Sequence, residues 1–354
     1  MSESPVKRAR VDVNEDLPLD LSMKRRPTGA DPQEPQNPPN YPPENSSLIP
    51  EPIPPDIPTR MLSLEYSLTK TLQGVLFRAP VEYLYSPIEY AFSVHLNYLK
   101  KFCNNEKKIL FLGMNPGPWG MSQTGVPFGE VNTVVNWLGL SGNVDRPPRE
   151  QPDRRVQGLL CKRSDVSGKR FWELFKRLCC TPEVFFRHSF LRNYCPVALM
   201  DAGGRNITPA ELKATSVLEL SSVDRGEGIF SLISLGVLQR PEQTRVVQLC
   251  DWFLGESVKA LRAEVIVGVG RFAEKRARHV VKTFGLSTQV FWMPHPSPRS
   301  TGTQDWSTKA QEILQDLNLL KFFSNEANPP AALVIPPNSE RGDPQMDGRG
   351  PLQG

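Results

Sequence analysis

The stretch Lys107-Lys108-Ile109-Leu110-Phe111-Leu112-Gly113-Met114-Asn115-Pro116-Gly117-Pro118-Trp119-Gly120 decides the fold class. Its first half is a short apolar run halted by glycine and proline, the pattern of a strand buried on both faces. Its second half is a loop unusually dense in turn residues. The strand pattern returns at Val265-Ile266-Val267-Gly268-Val269-Gly270 and at Gln289 to Met293, and Val184 through Asn193 to Val197 reads as another strand passing into a loop. Helices fit around these runs. Leu62, Leu64, Tyr66, Leu68, Leu72 and Val75 recur at three- and four-residue spacing, predicting a helix over Met61 to Phe77. Further helices are expected over Ile88 to Phe102, Glu130 to Leu138, Lys169 to Cys180, Glu242 to Arg262, Arg271 to Phe284 and Asp305 to Leu320. Strands alternating with helices predict an α/β fold with a mainly parallel central sheet. Ligands of such sheets sit at the carboxyl ends of strands, where the loops beginning at Gly113, Asn193 and His295 fall.

The flanks have a different composition. Residues 1–60 hold 14 of the 35 prolines, in runs such as Pro38-Pro39-Asn40-Tyr41-Pro42-Pro43, and are expected to stay disordered or polyproline-like. Residues 325–354 read as a second tail, leaving 61–324 as the folded domain. The whole chain carries 42 Lys+Arg against 38 Asp+Glu, yet the segment between the tails carries 33 against 24. A basic domain suits a polyanionic partner, although a surplus of that size is common on ordinary soluble domains. No run approaches 18 consecutive apolar residues, and the charged start MSESPVKRARVDVNEDLP disfavours a signal peptide, so neither secretion nor a membrane partner is expected.

The six cysteines lack paired CxxC spacing and only four histidines are present, so no metal site is expected and the thiols read as reduced and mostly buried. Gly268-Val269-Gly270-Arg271-Phe272-Ala273 imitates a dinucleotide fingerprint. The next strand, however, ends Phe291-Trp292-Met293-Pro294-His295 with no carboxylate for a ribose, so the glycines read as close strand–helix packing. His295-Pro296-Ser297-Pro298-Arg299 follows an apolar strand directly, and its prolines hold the imidazole at the sheet edge. Asn115 lies in a rigid turn at another strand end, where a neutral amide can orient a water without titrating. Phe128, just before a helix, reads equally well as core.

Taken together, GMNPGPWGMSQTGVPFGEV (Gly113 to Val131), RNYCPV (Arg192 to Val197) and HPSPR (His295 to Arg299) resemble the single-strand-selective monofunctional uracil-DNA glycosylase family, within the uracil-DNA glycosylase superfamily. The resemblance runs from about Met61 to Phe323, with VGVGRFAE fitting between. It implies a three-layer α/β/α fold with a mainly parallel sheet and a cofactor-free hydrolase that releases uracil and 5-substituted uracils such as 5-hydroxymethyluracil. Its substrates would be single- and double-stranded DNA, left with an abasic site. By the same resemblance Asn115 positions the attacking water, and Gly117 through Met121 line the pocket near the base's 5-position. Phe128 stacks on the extruded base, Asn193 reads its pairing edge, and His295 donates a hydrogen bond to it as it departs. The loop from Pro296 through Trp306, with Ser297, Pro298, Arg299 and Ser300, would fill the gap left in the duplex. The enzyme is expected to act as a monomer.

The residue types suit that chemistry on their own. Breaking an N-glycosidic bond makes a cation-like sugar and an anionic pyrimidine, so a donor aimed at the anion lowers the barrier, by roughly 3–4 kcal/mol in comparable sites. A base inside a duplex must be flipped out, and aromatic stacking offsets part of the cost. No lysine is placed as an amine nucleophile, which favours one hydrolytic step without strand cleavage. Asn115, where other superfamily branches carry Asp, implies weaker water activation and more dependence on the departing base.

Two features lie outside this resemblance. Residues 213–245 are longer than the family leads one to expect and read as a surface-loop insertion. In the N-terminal tail, Pro18-Leu19-Asp20-Leu21-Ser22 resembles the PxDLS motif bound by C-terminal-binding-protein corepressors, and Lys7-Arg8-Ala9-Arg10 with Lys24-Arg25-Arg26 fits a bipartite nuclear signal. The basic clusters predict residence in the nucleus. The rival reading is a nuclear DNA-binding or corepressor-recruiting protein that keeps the fold without the chemistry.

Overall fold

A computed structural model describes residues 56–212, 217–220, 245–298 and 305–324. The corepressor motif, both basic clusters, most of the insertion, residues 299–304 and the C-terminal tail lie outside the described residues. All of the described residues belong to the unit from Pro54 onward.

Four parallel strands form the central sheet in the order β4 (Ser189–Asn193), β3 (Ile109–Gly113), β8 (Val265–Val269), β9 (Gln289–Met293). Every residue of β3, β4 and β8 is buried, which explains why β3 and β8 read as unbroken apolar runs with no alternation. One face is covered by α5 (Val166–Cys179) and α6 (Pro182–His188), whose Phe171, Phe175 and Phe185 rings meet Phe111 at 5.8, 5.3 and 5.6 Å. On the other, α8 (Arg271–Thr283) packs on β8 and β9, with α7 (Arg245–Leu261) against it and α1 (Ile57–Gln73) against α7. The closing helix α9 (Trp306–Asp316) packs on α5. The result is the expected α/β/α sandwich.

Several boundaries differ from the periodicity. The first helix starts four residues early because Asp56 caps it, accepting from Thr59 N–H at 2.9 Å, with a proline in its first turn. It also stops at Gly74, and Val75–Phe77 forms β1, paired antiparallel with β7 (Val217–Leu220) from the predicted insertion. The helix expected over Ile88 to Phe102 breaks at Ala91 into α2 (Pro87–Tyr90) and α3 (Phe92–Phe102), where Gly125 closes on Ala91 so tightly that a Cβ on the glycine would sit 2.9 Å from the alanine's. Val184 to His188 is helix rather than strand. Pro182 starts that helix, and its aromatic run is buried by packing on α5 rather than by strand pairing. The segment after Glu130 forms a π-turn at Thr133–Trp137. A small antiparallel sheet of β2 (Tyr83–Tyr85), β5 (Ala198–Met200) and β6 (Asn206–Ile207) was not foreseen, since strands of two or three residues carry no readable period.

Candidate active site

The carboxyl ends of β3, β4 and β9 supply the site. Register sets Gly113 opposite Asn193, and the pairing continues as Tyr194 N–H donates to Gly113 O and Cys195 N–H to Met114 O, both at 2.9 Å. Gly113 must lack a side chain. A Cβ there would lie 2.3 Å from Asn193 Oδ1 and 2.7 Å from Phe128 Cε2, so the glycine is what lets an amide and an aromatic ring converge on the strand end.

Asn115 follows two residues later. Its Nδ2 donates to Asn206 Oδ1 on β6 at 3.0 Å and to Pro116 O at 3.4 Å, which fixes the amide and leaves Oδ1 as its acceptor. Gly117 anchors the loop, its carbonyl accepting from Gly120 N–H and Ser122 N–H. The short helix α4 (Met121–Thr124) then begins, and Asn193, only 6% exposed, donates through Nδ2 to Met121 Sδ at 3.2 Å. The half-buried Asp165 carboxylate lies against this loop at Gly117 and Gly120. It caps α5 at Ser167 N–H, burial raises its pKa, and its Oδ2 lies 4.0 Å from where a Gly117 Cβ would be.

Phe128 holds a left-handed backbone (φ 52°), and its carbonyl accepts the Trp172 indole N–H at 3.0 Å. Its ring stacks on Phe171 at 5.1 Å and 24° and lies 5.8 Å from the His295 ring. Core residue and site wall are therefore the same side chain: it closes the hydrophobic core and faces the imidazole. His295 stands two residues past β9, beside Gly270, whose positive φ (96°) turns the chain into α8 and where a Cβ would come within 3.4 Å of the histidine's. Burial pushes the imidazole down to about 4, so the ring is neutral near pH 7. Ser297 N–H donates to Nδ1 at 3.1 Å, which leaves the ring proton on Nε2.

A buried charge cluster braces these loops from behind. His95 on α3 contacts Gly125 O through Nδ1 and Glu65 Oε2 through Nε2, each at 2.8 Å. Both partners are acceptors, so each contact needs a ring N–H. Arg192 places Nε 3.6 Å from Glu65 Oε1 and donates to Asn193 O at 3.2 Å. Burial would raise the Glu65 carboxyl, but the charges of His95 and Arg192 outweigh it and hold the pKa below its usual value. One carboxylate thus ties the turn before Phe128 to the backbone of Asn193.

The structure therefore brings Asn115, Gly117, Met121, Phe128, Asn193 and His295 to one sheet edge, with Ser297 on the His295 ring and Pro298 exposed beyond it. Arg299 and Ser300 lie outside the described residues. The glycines of the apparent dinucleotide fingerprint do serve packing: a Cβ on Gly268 would sit 2.4 Å from Glu274 N. Among the described residues no three His, Cys, Asp or Glu side chains converge as metal ligands, and no helix is long and apolar enough to cross a membrane. Sequence reasoning missed Asn206, Phe171, Glu65 and His95. Each acts across 30 or more positions of chain, so no local pattern announces it.

Residues 100–318 match the Uracil DNA glycosylase superfamily. The chain is 41% identical to the single-strand selective monofunctional uracil-DNA glycosylase of Rattus norvegicus over 292 residues, covering 82% of this chain and 96% of the relative. It is 41% identical to the Bos taurus protein of that name over 288 residues, covering 81% and 96%. Among solved structures, that of Pedobacter heparinus SMUG2 aligns at a TM-score of 0.46 and 14% identity, covering 74% of this chain and 98% of that one.

Proposed function

The chain belongs to the single-strand-selective monofunctional uracil-DNA glycosylase family of the uracil-DNA glycosylase superfamily, and from that premise we propose how its own residues carry the reaction. It is a hydrolase that cleaves the N-glycosidic bond of uracil in DNA and leaves an abasic site. Single- and double-stranded DNA are the substrates, and 5-substituted uracils such as 5-hydroxymethyluracil are accepted.

The flipped base lies on Phe128, which Phe171 backs as a rigid second layer. Asn193 meets its pairing edge, and Gly117 to Met121 face its 5-position. Asn115 Oδ1 holds the water beneath the sugar, its amide turned by Asn206. As the bond lengthens, charge collects on the pyrimidine, and His295 donates its Nε2–H to that anion. A neutral donor in a buried site stabilises the developing charge without first losing a proton of its own. Water oxygen bonds to the sugar carbon as the bond to the pyrimidine nitrogen breaks, and the proton the water loses passes through solvent to the released pyrimidine anion, with no covalent enzyme intermediate.

The observation that carries this reading is the meeting of Phe128 and Asn193 over Gly113, with the His295 ring 5.8 Å from that of Phe128 and Asn115 two residues past the same strand end. Asn115→Ala and His295→Leu are each expected to lower single-turnover uracil release by about 100-fold or more, since each removes an interaction worth about 3 kcal/mol in the transition state. Binding to abasic-site DNA should survive. Unchanged release by either variant would remove that residue from the mechanism and favour a binding protein on the same fold. The Pro296–Trp306 loop, including Ser297, Pro298, Arg299 and Ser300, is assigned to the duplex gap. The enzyme is read as a nuclear monomer with Pro18–Ser22 as a corepressor peptide. These assignments rest on the sequence motifs and are tested by deleting each segment separately.

A further inference from the structure

Residues 154–163, Arg-Arg-Val-Gln-Gly-Leu-Leu-Cys-Lys-Arg, hold four cations and no carboxylate, and among the described residues none of those cations ion-pairs with an Asp or Glu. This segment is fastened to the site loop. The side chain of Gln123, fully buried, donates to Pro118 O at 3.0 Å and to Arg155 O at 3.1 Å, while its Oε1 accepts from Gln157 N–H at 2.8 Å. Tyr85 holds it from the other side, donating to Arg154 O at 3.0 Å. The guanidinium of Arg163 lies over the Trp119 ring at 4.3 Å and that of Arg154 at 5.5 Å. Trp119 itself belongs to the loop that carries Asn115. On the turn between the two arginines, Leu160 is 85% exposed.

An arginine held over an aromatic ring loses part of its rotamer freedom before any ligand arrives, and keeps N–H groups available for a bidentate acceptor. Two such heads on one indole, next to the water-holding asparagine, make a fixed pair of anion-binding forks. We propose that Arg154 and Arg163, racked on Trp119, grip consecutive phosphates of the DNA strand beside the extruded nucleotide. In this arrangement Leu160 lies against the sugars or bases between them. The strand recognised is taken to be single-stranded there, since unpaired bases offer a face to an apolar side chain without first being unstacked from a duplex. This surface is separate from the Pro296–Trp306 loop and rests on the proposed DNA-directed function.

The test is binding of a short single-stranded oligonucleotide carrying a non-cleavable uracil nucleotide, read by fluorescence anisotropy across a salt series. Each neutralised phosphate on a single strand contributes about 0.7 to the slope of log K against log salt. Arg154→Gln/Arg163→Gln should flatten the slope by about 1.4 and weaken binding by at least tenfold at about 0.1 M salt. Arg154→Lys/Arg163→Lys should keep most of the slope, and Lys275→Gln on α8 should leave it unchanged. A slope equal to wild type in the Gln pair, or an equal change in Lys275→Gln, overturns the proposal, as does a wild-type protein that binds no DNA. Parallel measurement of uracil release separates the two readings. Wild type that binds with the predicted slope but excises nothing refutes the reaction and leaves the surface standing, whereas excision with an unchanged slope refutes the surface alone.

Discussion

Gly113→Ala puts a methyl group where Asn193 and Phe128 meet. Its carbon would lie 2.3 Å from Asn193 Oδ1 and 2.7 Å from Phe128 Cε2, against an ordinary contact of about 3.4 Å or more, so one side chain must retreat by about 1 Å. The backbone cannot absorb this, because Gly113 is paired with Asn193 on one side and its strand is fixed by β8 on the other. Phe128 is pinned between Phe171 and the Trp172 hydrogen bond, which leaves the Asn193 amide to swing and lose Met121. A misplacement of about 1 Å in a site costs on the order of 100-fold in rate, equivalent to about 2.7 kcal/mol of barrier. Single-turnover release of uracil from a labelled oligonucleotide measures it, with abasic-site binding and thermal melting as controls for fold. A rate within threefold of wild type in a folded protein would refute the claim that base reading depends on the packing at this glycine.

Three other outcomes follow from the same structure. Phe128→Ala should cut single-turnover excision while the fold weakens by about 3 kcal/mol, since the ring is both stacking surface and core; a normal rate would count against stacking there. His295 titrates near 4 in the folded state and near 6.5 when unfolded, so the unfolded chain binds the extra proton between those values. Stability is therefore full above pH 6.5 and falls as pH drops toward 4, by about 2 kcal/mol once the ring's partial exposure is discounted. Denaturant melts at pH 7.5 and 4.5 should show His295→Gln losing less than wild type, and an equal loss would contradict it. Glu65→Gln leaves His95 and Arg192 without their shared anion and should cost about 3–5 kcal/mol, seen as a melting point lower by on the order of 10 °C. A melting point unchanged within 2 °C would show that the cluster carries no such weight.

Much of this architecture was legible because parallel strands buried on both faces leave plain apolar runs. Ile109–Gly113 and Val265–Val269 were readable on that ground alone, and the rule that ligands gather at carboxyl strand ends pointed to Asn115, Asn193 and His295. Val184-Phe185-Phe186 misled for the converse reason. Three consecutive apolar residues look the same buried in a short helix as in a strand, and only Pro182 hinted at the helix start. The small sheet that carries Asn206 escaped notice because its strands are too short to show a period. Glu65, His95 and the pairing of Arg192 with Glu65 escaped for a different reason, since these contacts span 30 to 127 positions and exist only once α1, α3 and β4 have packed. Phe128 could be read as core or as site; the structure places it in the core with its ring 5.8 Å from that of His295.

The central claim is one-step hydrolysis of uracil from DNA by these residues. It is tested most directly by incubating the full chain, with chelator present, with an end-labelled oligonucleotide carrying a single uracil, and scoring strand breaks before and after hot alkali. The account predicts free uracil and breaks that appear only after alkali. Intact strands after alkali, from folded protein shown to be bound to the DNA, would contradict it, as would breaks formed before alkali, which would require a lyase step the site does not provide.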